Sequence, residues 1–393
     1  MKVLIVIPSI GSVYGGPSKI VLGLSEALAK QNITVDLVTT NANGKQTLDV
    51  PLGTWIKRNH IRIQYFSYLG WQDYKFSFAM GQWLFHHVGD YDLVHTNAVF
   101  SLTNLPAYWA CQCHHIPYIV TPHGMLEPWT LAYKARKKLI YLRLLERPAI
   151  QKASAIQATA STEAKRLKTF QFTSSTVFVP NGIHCHHFDP PASSELFWQQ
   201  FPHLRDKQLI IFLGRIDPKK GLNLLALAFA HIQRKFPNSH LVIAGPDNIG
   251  YLPIAQKLFQ DVGCQNAVTF TGMLNGDLKY SALAAASVYV APSYSEGFSI
   301  SILEGLASGL PCVFTDACNF PEAGNVAKIV PVDQEQIAQA LQWCLANPED
   351  ARAMGQQARE FIFENYSWDK IATNLVQIYE AIIHNQPLPH LHA

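Results

Sequence analysis

Five apolar residues in a row, Val3, Leu4, Ile5, Val6 and Ile7, begin a pattern that runs along most of the chain. An unbroken run of this kind predicts a strand of a parallel sheet covered on both faces, because a strand with one wet face would alternate. After the glycine-rich Gly11-Ser12-Val13-Tyr14-Gly15-Gly16-Pro17, the residues Ile20, Leu24 and Leu28 recur at helical spacing. Further strands are predicted over residues 35–38, 61–65, 93–95 and 118–121. Strands alternating with helices over this length predict a doubly wound α/β domain, which closes around Pro180-Asn181-Gly182. A polar connection with Pro190-Pro191 and a short helix over 193–200 follow, and then the pattern restarts. Strands are predicted over 209–213, 241–244, 268–270, 288–290 and 312–314, with a helix over 223–235. The second half therefore also reads as a Rossmann-like sheet, and the cleft between two such halves is the expected ligand site. An amphipathic helix over 367–383 ends the pattern, and the tail 386–393, with two prolines and two histidines, is expected to be loose.

Length agrees with two domains, since 393 residues are many for one core. A hydrophobic share of 48% and a charged share of 15% fit an ordinary globular protein and argue against disorder. A net charge of +3 is too small to imply nucleic acid. Seven cysteines without a Cys-x-x-Cys pair argue against a disulfide framework and for a reducing cytosol. The opening apolar run is too short for a signal peptide, and no apolar segment reaches membrane-spanning length, so a soluble cytoplasmic protein is expected.

The chemistry concentrates in residues 288–311. Val288-Tyr289-Val290 reads as a strand that Pro292 stops, and Ile300, Leu303 and Leu306 place a helix start near Ser299 or Ser301. Free amides at that start favour an anion. The same stretch carries two carboxylates, Glu296 and Glu304, which repel phosphate and so must face neutral hydroxyls. Phosphate on the amides with sugar hydroxyls on the acids describes a nucleotide sugar. The two glutamates, seven residues apart, lie within Pro292-Ser293-x-x-Glu296-Gly297-Phe298 and Glu304-Gly305-Leu306-Ala307-Ser308-Gly309-Leu310-Pro311. This resembles the E-x7-E element of retaining glycosyltransferases of family 4, which have the GT-B fold.

The resemblance implies two facing Rossmann-like domains with a deep cleft between them. Residues 1–188, with a crossover helix over about 367–385, would form the acceptor domain, and residues 189–366 the nucleotide-sugar domain. Gly214-Arg215-Ile216-Asp217-Pro218-Lys219-Lys220-Gly221 is similar to the family's phosphate-binding segment. By that match Arg215 and Lys220 would hold the donor diphosphate, and Lys219 would face water. Preplaced cations stabilise the charge that grows on a departing diphosphate, and losing one typically costs ~3 kcal/mol. Glu304 would accept the ribose hydroxyls, and Glu296 those of the transferred sugar. The peptide N–H groups near Gly297, Phe298 and Ser299 would help to hold phosphate. His123, in Thr121-Pro122-His123-Gly124-Met125, would contact the donor sugar. Gly16 would lie on the donor side, and Gly15 and Asn181 on the acceptor side. Retention without a placed carboxylate nucleophile implies front-face substitution, with the leaving oxygen taking the acceptor's proton.

Neither a metal nor another cofactor is expected. Asp90-Tyr91-Asp92 imitates a D-x-D metal motif but precedes a strand instead of following one. His184-Cys185-His186-His187 lacks a second cluster at ligand spacing. Gly15-Gly16 is not G-x-G-x-x-G and no acid ends the second strand, which disfavours a nicotinamide dinucleotide. Glu322 departs from the family pattern, in which a glycine pair precedes the glutamate, and stays off the site. Residues 134–147 form a basic helix with Lys134, Arg136, Lys137, Lys138, Arg143 and Arg147, and with Leu131, Leu139, Leu142 and Leu145 along it. Peripheral contact with an anionic membrane is one expectation for it, and a solvated face is the other. The expected function is sugar transfer from a nucleotide sugar to a glycan or lipid-linked acceptor in surface polysaccharide or lipopolysaccharide assembly. The alternatives are a nucleotide-sugar epimerase or hydrolase of the same fold and a non-catalytic sugar-nucleotide-binding protein.

Overall fold

A computed structural model describes residues 1–71 and 74–389. Part of the tail 386–393 thus lies outside the described residues. The chain divides into two compact units, Met1–Gly182 with Trp368–Ala393, and Ile183–Ser367. Each carries its own sheet and its own apolar core. The boundary falls after Gly182, six residues before the sequence-based one. The reason is contact: the Ile183 N–H donates to the Tyr366 carbonyl at 2.9 Å, and the His187 and Phe188 rings pack against Tyr280, tilted and edge-on.

In the first unit, β1 (Lys2–Ser9) leads through a glycine loop into α1 (Gly16–Lys30). β2 (Thr34–Thr40), β3 (Trp55–Arg58), β4 (Ile61–Phe66), β5 (Leu93–Asn97) and β6 (Tyr118–Thr121) follow. After them come the basic helix α2 (Ala135–Tyr141), β7 (Ala155–Ala158) and β8 (Ser175–Phe178). The sheet order is β8-β7-β6-β5-β1-β2-β4-β3, parallel except that β3 runs against β4. Registers such as Ile5 beside both Leu37 and His95 bury β1 from Val3 to Ile7. This burial is why the run is apolar at every position.

In the second unit the order is β11-β10-β9-β12-β13-β14, all parallel. The strands are β9 (Gln208–Leu213), β10 (Ser239–Ala244), β11 (Val268–Gly272), β12 (Val288–Ala291), β13 (Cys312–Thr315) and β14 (Lys328–Val330). Three helices matter below: α3 (Leu222–Lys235), α4 (Gly276–Ala285) and α5 (Ile300–Ala307). The direction of winding reverses between β9 and β12, and ligands of such sheets bind beyond the strand C-termini at that point. The last helix, α6 (Trp368–Ile383), belongs to the first unit, where it packs on α1 and buries Trp368, Ile371, Leu375 and Tyr379.

Every predicted strand is present, most of them longer by a residue or two. Four others in the two main sheets, β3, β7, β8 and β14, lacked the apolar run that marks a strand. β7 reads Ala-Ile-Gln-Ala, and its Gln157 is buried because its amide donates to the Val179 carbonyl at 2.9 Å. A satisfied buried amide hides a core strand behind a polar letter.

Candidate functional site

Past the end of β9, residues 214–221 make a loop and one 3-10 turn, Pro218–Lys220. Asp217 caps the turn, its carboxylate accepting the Lys219 N–H at 2.9 Å. Gly221 follows with φ +70°, and a Cβ there would stand 1.9 Å from the Pro292 carbonyl oxygen. Only glycine allows this approach. It presses the loop after β9 against the loop after β12, where the Tyr294 N–H donates to the Lys219 carbonyl at 2.8 Å.

The contact delivers Lys220 Nζ to Glu296 Oε1 at 2.5 Å, with each side chain only 13% exposed. Ser293 Oγ donates to the same oxygen at 2.8 Å. The Glu296 backbone is pinned as well. Its N–H donates to the Ala317 carbonyl at 2.9 Å, and Asn319 Nδ2 donates to its carbonyl at 2.5 Å. Burial works against the Glu296 charge, but Lys220 and then Lys219 outweigh it and hold the carboxyl below its ordinary range. Lys219, expected to face water, is half-buried instead. Burial lowers its pKa, with Lys220 and Arg215 adding to that effect. Arg215 is exposed and makes no ion pair among the described residues.

Ser299 caps α5 with extended backbone, and its side chain makes no capping bond. The amides of Gly297, Phe298 and Ser299 meet no acceptor among the described residues. The Phe298 ring is buried against Phe320 and Tyr366, so this residue can offer a ligand its backbone only. A short loop thus presents three amides and the start of a helix beside a cation and a carboxylate. Such a set can bind an oxyanion and a hydroxyl side by side.

Glu304 stands within α5, and its partner was not foreseen: Lys279 Nζ of α4 donates to Glu304 Oε1 at 2.5 Å. Burial opposes the Lys279 ammonium, but Glu304 and Tyr280 more than offset it, and its pKa is raised. Lys279 also lies 4.5 Å from the centre of the Tyr280 ring, whose hydroxyl meets His187 Nδ1 at 2.5 Å. Nothing in the sequence marks Lys279, since a lone lysine in a helix carries no pattern.

In the first unit, the loop after β1 passes through Gly15, with φ +69° and ψ −121°, before α1 begins. That backbone belongs to glycine, and no atom lies within 4 Å of where a Cβ would stand at Gly15 or Gly16. At the end of β6, His123 adopts φ +53°. Its Nε2 donates to Asn97 Oδ1 at 2.9 Å, an oxygen that can only accept, so Nδ1 is the bare ring nitrogen. That nitrogen is buried and has no partner among the described residues, and burial lowers the ring's pKa to about 4. Glu163 fixes the turn by accepting the Gly124 N–H at 2.7 Å. Asn97 and Glu163, both missed from sequence, thus orient His123 and its turn, while burial keeps the ring neutral. Asn181 is buried beside the unit boundary.

The other sequence candidates have structural partners. Asp92 accepts the Lys2 N–H at 2.7 Å, and Asp90 lies 3.4 Å from His87. The His184, His186 and His187 rings pack against one another, tilted or edge-on, and among the described residues no three His, Cys, Asp or Glu side chains converge as a metal set.

Two sequence profiles divide the chain. That described as "Glycosyl transferases group 1" matches residues 194–361, and that described as "Glycosyltransferase Family 4" matches residues 14–187. The chain belongs to glycosyltransferase family 4. Among the relatives of this family 4 chain is the GDP-mannose-dependent alpha-(1-6)-phosphatidylinositol monomannoside mannosyltransferase of Mycobacterium tuberculosis. It is 30% identical over 227 residues, which are 54% of this chain and 58% of that enzyme. This match thus spans little more than half of the relative's length. The D-inositol 3-phosphate glycosyltransferase of Streptomyces scabiei is 24% identical over 392 residues, 94% of this chain and 87% of that protein. The structure of sucrose-phosphate synthase from Thermosynechococcus elongatus superposes with a TM-score of 0.78 at 22% identity. It covers 98% of this chain and all of that one, and it shares the two Rossmann-like domains of the GT-B fold. Arg215, Lys220, Lys279, Glu296 and Glu304 fall within the first profile, and Gly15, Gly16, His123 and Asn181 within the second.

Proposed function

We propose that this family 4 chain transfers a sugar, with retention of anomeric configuration, from a nucleoside-diphosphate sugar to a hydroxyl of a glycan or lipid-linked acceptor. One observation carries the reading: Lys220 on Glu296 at 2.5 Å, beside the free amides of residues 297–299, at the switch point of the second sheet. In this reading the diphosphate meets Lys220, Arg215 and the amides, and Glu296 turns to the sugar hydroxyls. Glu304 takes the ribose, with Lys279 balancing its charge. The neutral His123 ring offers Nδ1 as an acceptor to the transferred sugar. As the anomeric bond breaks, the developing charge on the phosphate oxygen falls on cations already in place, and that oxygen takes the acceptor's proton. The cations of the chain carry this step, so a metal is not required. A lipid-borne acceptor is in keeping with the relative named as a phosphatidylinositol monomannoside mannosyltransferase, and the proposal extends to surface-polysaccharide acceptors handled on the cytoplasmic side.

The test is thermal stabilisation by UDP, GDP, ADP and their sugars, followed by transfer assays with whichever donor binds. A nucleoside diphosphate at a hundred times its Kd stabilises the fold by about 2.7 kcal/mol. Glu304→Gln should abolish most of that shift. No stabilisation by any nucleotide, or an equal shift in the variant, would sink the reading. Epimerised or freed sugar without an acceptor would instead favour the epimerase or hydrolase.

A further inference from the structure

We propose that the first unit docks on an anionic lipid bilayer through the outward face of residues 128–147, inserting aliphatic side chains between basic ones. The segment runs through Pro128–Ala132, α2 and a π-helical turn, Leu142–Glu146, into Arg147–Gln151. Its inward side is accounted for, because Leu131, Leu142 and Leu145 pack into the unit's core. Leu139, which lies along the same basic helix, does not join them. It is 66% exposed, beside Ile140 at 60% and Leu144 at 66%. A π turn holds more residues than an α turn, so positions after Tyr141 rotate away from an α-helical continuation. Trp129 and Tyr133 lie on the same segment and are also exposed, at 47% and 63%. Beyond Leu144 the surface continues across a shallow depression to Trp109 and Lys152.

Charge identifies the occupant. Six cations, Lys134, Arg136, Lys137, Lys138, Arg143 and Arg147, stand between Pro128 and Arg147, and the only acid among them is the buried Glu146. Burial lifts the Glu146 carboxyl to about 8, so it does little to offset them near neutral pH. Bulky aliphatic and aromatic side chains interleaved with lysine and arginine suit the boundary between acyl chains and anionic headgroups. A two-fold contact with a second copy would set like charges against each other. No helix among the described residues is long and apolar enough to cross a membrane, so the contact is with the surface. The inference deepens the lipid-linked half of the proposed function, but the geometry of the sugar site plays no part in it.

The experiment is flotation of the full chain with vesicles of phosphatidylcholine alone and of phosphatidylcholine with phosphatidylglycerol. Binding is expected to the anionic vesicles. Leu139→Ser/Ile140→Ser/Leu144→Ser should weaken it more than about tenfold without lowering the melting temperature, because these side chains are mostly exposed. Arg136→Gln/Lys137→Gln/Arg143→Gln should weaken it by about a hundredfold at low salt, from ~1 kcal/mol per charge near such a surface. Transfer to a soluble acceptor should be unchanged in both variants. Loss of transfer in the wild type would strike the proposed function and leave this inference standing. No flotation at low salt, or flotation that neither variant reduces, overturns it. A concentration-dependent dimer that the serine variant dissolves, without vesicle binding, would assign the face to a second copy instead.

Discussion

Replacing Lys220 with alanine removes the nearest cation to Glu296 and leaves that carboxylate with the Ser293 hydroxyl and the more distant charge of Lys219. Two effects follow and can be separated. Stability should fall by about 1–3 kcal/mol, the cost of leaving a mostly buried charged partner unsatisfied. The Glu296 pKa should also rise. In the wild type it is held low, so the pair's contribution persists above the ordinary carboxylate range and is lost as pH falls through the folded pKa. In the variant the folded pKa lies nearer the unfolded one, so that loss should be smaller and level off at a higher pH. If Lys220 also meets the leaving diphosphate, kcat/KM should fall by about 10²–10³, because such a charge acts in the transition state. Steady-state rates in a Lys220→Ala, Glu296→Gln cycle decide the matter. A lysine that merely neutralises the acid has nothing left to do once residue 296 is neutral, so the double variant would match Glu296→Gln. A lysine on the leaving group still costs about a hundredfold in that background. Equality of the double variant with Glu296→Gln would refute the reasoning.

Gly221→Ala should be far more damaging than Gly15→Ala, although both have positive φ. Both substitutions bear a conformational cost, ~1–2 kcal/mol at Gly221 in the left-handed region and a further one at Gly15 from its ψ of −121°, but only at residue 221 would the new Cβ stand 1.9 Å from a backbone oxygen. Melting curves should separate the two by several degrees, and similar curves would contradict the loop contact that builds the site. Acid should destabilise the first unit well above the carboxylate range. Burial holds His95 near pKa 3 and His123 near 4, against 6.5 for a free ring. The unfolded chain therefore takes up protons first, so stability falls as pH drops from about 6.5 and levels off below the folded values. Each ring should cost about 2 kcal/mol by pH 5. Urea unfolding between pH 7 and 5 measures this, with His123→Asn expected to flatten the curve by one ring's share. A pH-independent midpoint would count against burial of the neutral rings.

Much of the site could be read before any coordinate was known. Pro292, Glu296, Ser299 and Glu304 lie within one strand-turn-helix stretch, where local pattern decides structure, and the helix starts at Ile300 as expected. The supporting residues could not be read in this way. Asn319, in the left-handed region at φ +59°, buttresses Glu296 from 23 residues away. Lys279 reaches Glu304 from a different helix. Asn97, which orients His123 from 26 residues away, ends β5 two residues past the predicted strand, where no pattern marks it.

The sequence alone determined where strands and helices begin, that two similar α/β halves exist, and which two acids share one turn and helix. Each of these follows from side-chain periodicity within a few residues. Tertiary structure decided which cation meets which acid. Lys220 and Glu296 are 76 residues apart and touch because the sheet places β9 beside β12, and because Gly221 lets their loops close. It also turned Leu139, Ile140 and Leu144 outward, since the way a helix is seated on its core, and where it widens into a π turn, depends on what the core has room for.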